Sequence, residues 1–393
     1  MIELSEFSKA ADRHSSVSHR DRVSAFYRAA VILSRYSLSW CSGSTPKDEN
    51  EFDIAHHPTT SEEFRQVLRM RLSVDDIAEI LSENSSKCVS ELDLTSLVHL
   101  MWSLAILGLF ETEWIQKIQK RIETLPSSPM NLDDSVALMF AEAMLLNGRS
   151  SMDLDLSDSV IKSMNIPTMI NCLFSYALLG KPHEWTSQIR RMLLHRLSHI
   201  PMEASIIPFA LRAVTYTAAV IGDDSHHEVN KIKSMYPHLN KLVSRPAWKY
   251  SFQLSLACHA AVGGNDDFEI NPIVEGNFAF DASLASNRRR KVLIELVRPS
   301  NLIREIGTYR VVNADGYTRM ARDLLSRKGF RVLAITVGEW AKHNGDMKQQ
   351  ISFVRHRIRS CQNKKRLYSG MERDEEVLAY SSDYSDSDSD MSD

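Results

Sequence analysis

The sequence predicts an α-solenoid of helical-hairpin repeats, followed by a small α/β domain and an acidic tail, on three observations. A pattern of apolar and small residues recurs four times between residues 94 and 216, at steps of 38, 34 and 36 residues. After Gly263 and Gly264 the chain changes to short β-rich runs around one helix. Charge is also separated along the chain, which is strongly basic over residues 282–370 and acidic both before and after them. Helix pairs at this period are typical of α-solenoids.

The composition is that of a globular protein with more than one part. The chain has 393 residues, of which 43% are hydrophobic and 25% charged. We expect no membrane insertion, because no apolar run is long enough for a transmembrane helix, and the N-terminus lacks the apolar core of a secretory signal. The five cysteines are scattered and never form CxxC, so we expect neither a zinc site nor a disulfide framework.

The N-terminal part divides into three segments. Residues 1–41 are predicted to form a helical segment, residues 42–64 a polar linker, and residues 65–265 the helical repeat domain. The first segment contains several arginines and serines but also acids, including Glu3 and Glu6. Transit peptides avoid acids, so this signal for an organelle is weak.

The repeat is defined by LTSLVHLMWSLAILG, which begins at Leu94 and aligns with segments beginning at Leu132, Ile166 and Met202. Large residues stand at the fifth and ninth positions, and the twelfth is always alanine: Ala105, Ala143, Ala177 and Ala213. These positions lie on one face of a helix, where alanine lets a neighbouring helix approach closely. Second helices are predicted at TEWIQKIQKRI and HEWTSQIRRMLLHRL. The repeat domain alone is compatible with binding either protein or single-stranded RNA.

The C-terminal domain, residues 275–370, is strongly basic. Residues 282–370 contain 20 Lys and Arg against 6 Asp and Glu, whereas residues 371–393 contain 1 against 9. The strand–helix–strand order of KVLIELV, YTRMARDLLSRKG and GFRVLAITV predicts an α/β module. An excess of positive charge this large indicates a polyanionic partner.

The stretch GYTRMARDLLSRKGFRVLAITVGEW, residues 316–340, resembles the RAP domain. That domain is the small C-terminal domain of the FAST-kinase-like family and of many apicomplexan organelle proteins, and helical repeats usually precede it. The resemblance implies a restriction-endonuclease-like fold and an RNA-binding protein of mitochondria, or possibly plastids, that acts in transcript stability, processing or ribosome assembly. The localisation rests on this resemblance. The chain has no glycine-rich kinase loop, so we expect no kinase activity.

The fold implied by the resemblance is similar to that of very-short-patch repair and restriction endonucleases, in which carboxylates and a lysine hold a metal ion. The candidates here are Asp281 and Glu295, but Val297 stands where a further ligand or the lysine is needed. Arg298 and Asn301 also replace the family's glycine and histidine. We therefore expect a degenerate, non-catalytic domain without a cofactor, in which Glu295 pairs with an arginine. One alternative is a Mg²⁺-dependent RNA endonuclease using both acids, and another is a structural subunit of an organellar ribosome.

Binding to single-stranded RNA or rRNA needs cations on a shared face, and ribosomal or RNA-processing proteins are further expected partners. The predicted RNA-binding residues are Arg288, Arg289, Arg290, Lys291, Arg298, Arg319, Arg322, Arg327, Lys328, Arg331 and Trp340. Trp340 could stack on a base, or it could anchor the core of the domain.

The tail, residues 371–393, is acidic and rich in serine, which predicts disorder. Ser385 and Ser387 each have an acid three residues on and suit acidophilic kinases. The tail either competes with RNA for the basic domain, more strongly when phosphorylated, or only adds solubility.

Overall fold

The protein is mostly helical and contains two small mixed β-sheets. The structure is a computed structural model that describes residues 4–33, 39–40, 52–53, 61–125, 130–146, 148–150, 152, 154, 156–180, 185–199, 207–221, 227, 229–230, 234, 249–263, 268–274, 278–284, 291–297, 301–308, 310–343 and 345–363. None of the helices within these ranges is long and apolar enough to cross a membrane.

The N-terminal part is built from helices, with two short strand segments before α3. The elements are α1 (Leu4–Ala11), α2 (His19–Leu33), β1 (Ser39–Trp40), β2 (Phe52–Asp53), α3 (Ser61–Glu83) and α4 (Ser85–Glu91). Strands β1 and β2 pair antiparallel. The segment 42–64, expected as a linker, thus contains β2 and the first residues of α3. Phe26 of α2 is fully buried, and α2 packs against α3 and α5.

The repeat region contains α5 (Leu94–Leu107), β3 (Leu109–Phe110), α6 (Thr112–Thr124), α7 (Leu132–Leu145), α8 (Asp158–Ser163), α9 (Ile166–Leu179), α10 (Thr186–Leu197) and α11 (Ile207–Ile221). Helices α5, α7 and α9 begin at the first residue of each aligned segment and are all 14 residues long. The fourth segment was aligned from Met202, which lies outside the described residues, and α11 begins at Ile207.

Each of the three equivalent helices has the same type of N-cap. The side chains of Asp93, Asn131 and Asn165 accept a hydrogen bond from the backbone N–H three residues on. Such a cap satisfies one of the backbone donors that a helix N-terminus leaves without an intrahelical partner. The sequence contains this signal immediately before the first three aligned segments.

Equivalent side chains also connect successive units. The Thr95 hydroxyl donates to Asp134 Oδ2 at 2.9 Å, and the Thr168 hydroxyl donates to Asp133 Oδ1 at 2.6 Å. Both bonds join the second position of one unit to the third position of the next. The repetition seen in the sequence is therefore also present in the contacts between units.

Helices α2, α5, α7, α9 and α11 pack side by side in chain order. The four alanines at the twelfth position are all buried, as are Phe140 and Phe174 at the ninth position. Small residues at this place let adjacent helices pack closely, which is the role that the periodicity predicted.

The C-terminal unit begins with α12 (Lys249–Val262) and continues through β4 (Phe268–Ile270), β5 (Ile273–Val274), β6 (Phe278–Ala279), β7 (Ala282–Leu284), β8 (Val292–Val297), β9 (Leu302–Glu305), β10 (Val311–Ala314), α13 (Gly316–Arg327), β11 (Arg331–Thr336), α14 (Val337–Ala341) and α15 (Met347–Asn363). Four strands form one mixed sheet in the order β11–β8–β7–β4, and β11 and β8 are parallel. The helix between the parallel strands is α13, as the strand–helix–strand pattern predicted.

Strand β8 is buried on both faces, which explains its almost continuous apolar sequence. Leu293 points into a core shared with α13 and the helical array. Ile294 and Leu296 point the other way, into a second core formed with α12 and α15. The sheet therefore lies between the helical array with α13 on one side and the pair α12 and α15 on the other.

A short strand of the repeat region joins the C-terminal unit. Strand β3 pairs parallel with β9, which also pairs with β10, and the Arg304 N–H donates to the Gly108 carbonyl at 2.8 Å. Gly108 has φ 62°, and a Cβ there would lie 2.6 Å from the Leu302 carbonyl oxygen. Only glycine allows both the left-handed conformation and this close approach.

Helix α13 covers part of the row of repeat helices. The ring of Tyr317 lies 4.6 Å from that of Phe174 and 6.1 Å from that of Phe140, measured between centroids. Helices α7, α9 and α11 all contact α13. At these units the ninth-position face is occupied by the chain itself, so RNA cannot lie along it in this arrangement.

Candidate nucleic-acid interface

The two acids considered as metal ligands are both buried and engaged in protein contacts. Asp281 precedes β7, and its carboxylate accepts the backbone N–H of Leu296 at 2.6 Å. Glu295, in β8, forms an ion pair with Arg322 of α13 at 3.1 Å, so the expected pairing with an arginine is confirmed. Within the described part of the chain there is no group of three or more His, Cys, Asp or Glu that could hold a metal ion.

Burial around this pair also affects neighbouring groups. Desolvation is the largest cause that raises the pKa of Asp315, and the charge of Glu295 raises it further. Desolvation likewise raises the pKa of Tyr216, a residue of α11 that faces the same junction. The raised pKa of Asp315 does not by itself indicate a catalytic acid. The side chain has a structural role, because it caps α13 by accepting the Thr318 N–H at 2.7 Å.

Several predicted RNA-binding cations instead hold the fold together. Arg319 donates to the Met144 carbonyl at 2.9 Å and so connects α13 to the end of α7. Arg322 is committed to Glu295. Arg331 donates to the carbonyls of Cys361 and Gln362, near the end of α15. These three side chains are placed for structure, and a phosphate could reach them only by replacing an internal partner.

The predicted base-stacking role of Trp340 needs an exposed ring, and in this structure the ring is buried. Its side chain is fully buried in the core between the sheet, α12 and α15. It follows the hydrophobic strand β11 directly, on the short helix α14, which begins with a capping box of Thr336 and Glu339. Trp340 therefore anchors the core of the domain, which was the second of the two roles expected for it.

Other predicted cations lie at the surface. Arg327 and Lys328, at the end of α13, are exposed, and Arg327 pairs with Asp323 at 2.5 Å. Lys291 pairs with Glu269 at 3.0 Å. The predicted residues Arg288, Arg289, Arg290 and Arg298 lie outside the described residues, as do Ser385 and Ser387.

The last helix, α15, provides a basic surface that the list of predicted residues omitted. Lys348, Arg355 and Arg359 are exposed, and their spacing of seven and four residues places them on one stripe of the helix. Arg357, on the same helix, is half-buried, donates to the Ala334 carbonyl at 3.1 Å and lies 3.7 Å from Glu339. Helix α15 contains no acidic residue.

A cleft of about 210 Å³ lies between α13 and the helical array. Gly148, Gly180 and Tyr216 line it on the array side, and Arg319 and Arg327 line it on the other. Its two cations are already bonded to Met144 and Asp323. The cleft marks the junction of the two parts of the chain, at the place where two of the predicted RNA-binding residues meet.

No family model matches this chain, and no curated protein matches it either.

Proposed function

We propose that this chain is a non-catalytic RNA-binding protein of mitochondria that acts in transcript stability, RNA processing or ribosome assembly. In this proposal the helical array is an α-solenoid and the C-terminal unit is a degenerate RAP-like domain. The observation that carries the proposal is the surface of α15, where Lys348, Arg355 and Arg359 are exposed on a helix without a carboxylate.

Binding follows from the electrostatics of this surface. Each cation that contacts a phosphate releases condensed counterions, which contributes affinity without depending on sequence. The C-terminal unit has 20 Lys and Arg against 6 Asp and Glu over residues 282–370, so it attracts a polyanion over a longer range as well. RNA held in this way is protected from exonucleases or presented for maturation.

The absence of catalysis in the proposal is supported by the positions of Asp281 and Glu295. Hydrolysis of a phosphodiester through a metal ion needs carboxylate oxygens that converge on the ion and remain open to substrate. Here one acid accepts a backbone N–H and the other pairs with Arg322. Each contact engages one carboxylate oxygen, Asp281 Oδ2 or Glu295 Oε2, and both side chains are buried.

The test is equilibrium binding of the full chain to a labelled single-stranded RNA, followed by fluorescence anisotropy over a series of salt concentrations. We expect the logarithm of the association constant to fall linearly with the logarithm of the salt concentration, with a slope of about 0.7 for each phosphate contact. The same samples are incubated with Mg²⁺ and separated on a denaturing gel, where the RNA should remain intact. Absence of binding at low salt would refute the proposal. Cleavage that disappears in Glu295→Gln would establish the endonuclease alternative.

A further inference from the structure

An aromatic side chain of the C-terminal unit, Phe252, is largely exposed in the described part of the chain. Among the described residues, the exposed large hydrophobic side chains are Phe252, Leu256, Ile270 and Met347, and all of them belong to this unit. Phe252 is 63% exposed and Leu256 40% exposed. The helix that carries Phe252 already buries another apolar face, so the exposed ring does not contribute to the core.

Helix α12 has two apolar faces, of which one is already used. Leu254, Ala257 and Cys258 are buried in the core against the sheet and α15. Phe252 and Leu256, four residues apart, lie on the opposite side of the helix. In the described part of the chain, both side chains of this second face are exposed.

Helices α12 and α15 pack against each other on the same face of the sheet. Arg355 Nε lies 3.3 Å from the Ala261 carbonyl, to which it donates near the C-terminal end of α12. Arg355 of the basic stripe thus reaches α12, and we call the exposed side of these two neighbouring helices the α12–α15 surface. It is defined by Phe252, Lys348, Arg355 and Arg359.

The charge of this surface is of one sign. The sequences of α12 and α15, KYSFQLSLACHAAV and MKQQISFVRHRIRSCQN, contain five Lys and Arg and no Asp or Glu. An acidic side chain would compete with a phosphate for the arginines, and neither helix supplies one. Exposed cations beside an exposed aromatic ring are the combination that binds single-stranded nucleic acid, because cations meet the phosphates and bases stack on the ring.

From these observations we infer that the α12–α15 surface binds single-stranded RNA, with a base stacked on Phe252 and phosphates on Arg355, Arg359 and Lys348. This inference rests on the proposed function and adds the contact surface and the preference for unpaired bases. Phe252 takes the base-stacking role that was predicted for Trp340. A duplex keeps its bases stacked on each other, so it cannot use the ring in this way.

The test measures the binding of a labelled, unstructured single-stranded RNA and of a duplex of the same length to the full chain. Two variants address the surface: Phe252→Leu, which removes the aromatic face and keeps an apolar side chain, and the double variant Arg355→Gln with Arg359→Gln. The matched controls are Leu256→Ala on the same helix, and Lys120→Gln with Arg191→Gln. The last pair removes the same charge from exposed positions on α6 and α10. Thermal unfolding confirms that each variant is folded.

We expect Phe252→Leu to weaken single-strand binding about five- to one-hundred-fold and to leave duplex binding nearly unchanged. The arginine pair should lower the salt slope by about 1.4, at about 0.7 for each lost contact. The controls should change affinity less than about twofold, since neither removes a stacking ring or a predicted phosphate contact.

The outcomes separate this inference from the proposed function. If the wild type binds no RNA, the proposed function fails and the inference fails with it. If the wild type binds RNA but the surface variants behave as their controls do, the proposed function stands and the α12–α15 surface is the wrong one. Loss of binding in Phe252→Leu and Leu256→Ala alike, with no preference for single strands, would contradict stacking of a base on Phe252.

Discussion

Glu295 is the residue whose role decides between a nuclease and a binding protein. Its carboxylate is nearly buried and lies 3.1 Å from Arg322, which is itself only 21% exposed. The pairing could be expected from the sequence, because an acid in an apolar strand needs a cation and the next helix is rich in arginine. The sequence does not identify which arginine is the partner, since α13 contains Arg319, Arg322 and Arg327.

We predict that Arg322→Met destabilises the protein by about 3 kcal/mol, because it leaves a buried carboxylate without its cation. Adding Glu295→Gln should recover part of this loss by removing the unpaired charge. The measurement is chemical denaturation of the wild type, both single variants and the double variant, which gives the coupling between the two sites. Additive effects would disprove the coupling. Stabilisation of the wild type by Mg²⁺ that disappears in Glu295→Gln would show a metal site instead.

The N-cap of α5 gives a pH-dependent contribution to stability. Hydrogen bonds from Ser96 lower the pKa of the Asp93 carboxyl below its ordinary value. A lowered folded-state pKa means that the contribution is present above the unfolded-state pKa and is lost as the pH falls through the folded-state pKa.

We therefore predict that Asp93→Ala costs about 1 kcal/mol at neutral pH and less in acid. Asp93→Asn retains a capping side chain that does not titrate, so it should stay close to the wild type at neutral pH. Thermal unfolding of the three proteins between neutral and acidic pH measures the difference. A cost of Asp93→Ala that does not depend on pH would contradict the assignment.

Trp340 and Phe252 show where residue-level prediction fails. Trp340 was predicted as a residue that could stack on a base, but it is buried, whereas Phe252 is exposed. Burial depends on which face of an element meets the sheet, and α14 is only five residues long, too short for a periodic pattern. In α12 the pattern was available, because Phe252 and Leu256 stand out of phase with Leu254, Ala257 and Cys258.

At the scale of elements, the repeated helices could be located from sequence because two signals agree. Apolar periodicity gives the face, and Asp93, Asn131 and Asn165 mark the starts. The pairing of β3 with β9 could not be anticipated. Strand β3 has two residues, and its partner lies almost two hundred residues further along the chain.

A pair of glycines tests the junction that this pairing forms. Gly108 and Gly180 occupy the same place after α5 and α9, with φ 62° and 65°. A Cβ on Gly108 would meet the Leu302 carbonyl oxygen at 2.6 Å, whereas nothing lies within 4 Å of one on Gly180. The two positions therefore share the conformational cost and differ in the contact with β9.

We predict that Gly180→Ala costs about 1 kcal/mol, from the left-handed conformation alone. Gly108→Ala should cost clearly more, because β9 must also move away. Chemical denaturation gives the two free energies of unfolding, and limited proteolysis should show earlier cleavage between the two parts in Gly108→Ala. Equal costs for both variants would mean that β3 and β9 do not hold the junction.

At the scale of the whole molecule, the separation of charge was evident in the sequence, but its distribution over the surface was not. The predicted cations Arg319, Arg322 and Arg331 form internal contacts. Arg355 and Arg359, which were not among the predicted RNA-binding residues, are exposed. Composition gives the number of charges in a segment and not the number available to a ligand. The position of α13 over α7, α9 and α11 also excludes RNA from the face where a solenoid would otherwise bind it.

The acidic tail leads to a prediction that depends only on charge. Residues 371–393 contain 9 acidic residues and 1 basic residue, close in sequence to the basic helix α15. We predict that removing them strengthens RNA binding at low salt, and that the difference disappears at high salt because screening shortens the range of the interaction. Phosphorylation at Ser385 and Ser387 should weaken binding of the full chain further. Equal affinities at every salt concentration would leave the tail without a competing role.

The central claim is that this protein binds RNA through its C-terminal unit. The most direct measurement is ultraviolet crosslinking of the tagged full chain in its own cells, with sequencing of the attached RNA and mapping of the crosslinked peptides. We predict reads concentrated on organellar transcripts or rRNA, and crosslinked peptides from residues 249–262 and 347–363. Recovery of no more RNA than from an untagged control would contradict the claim.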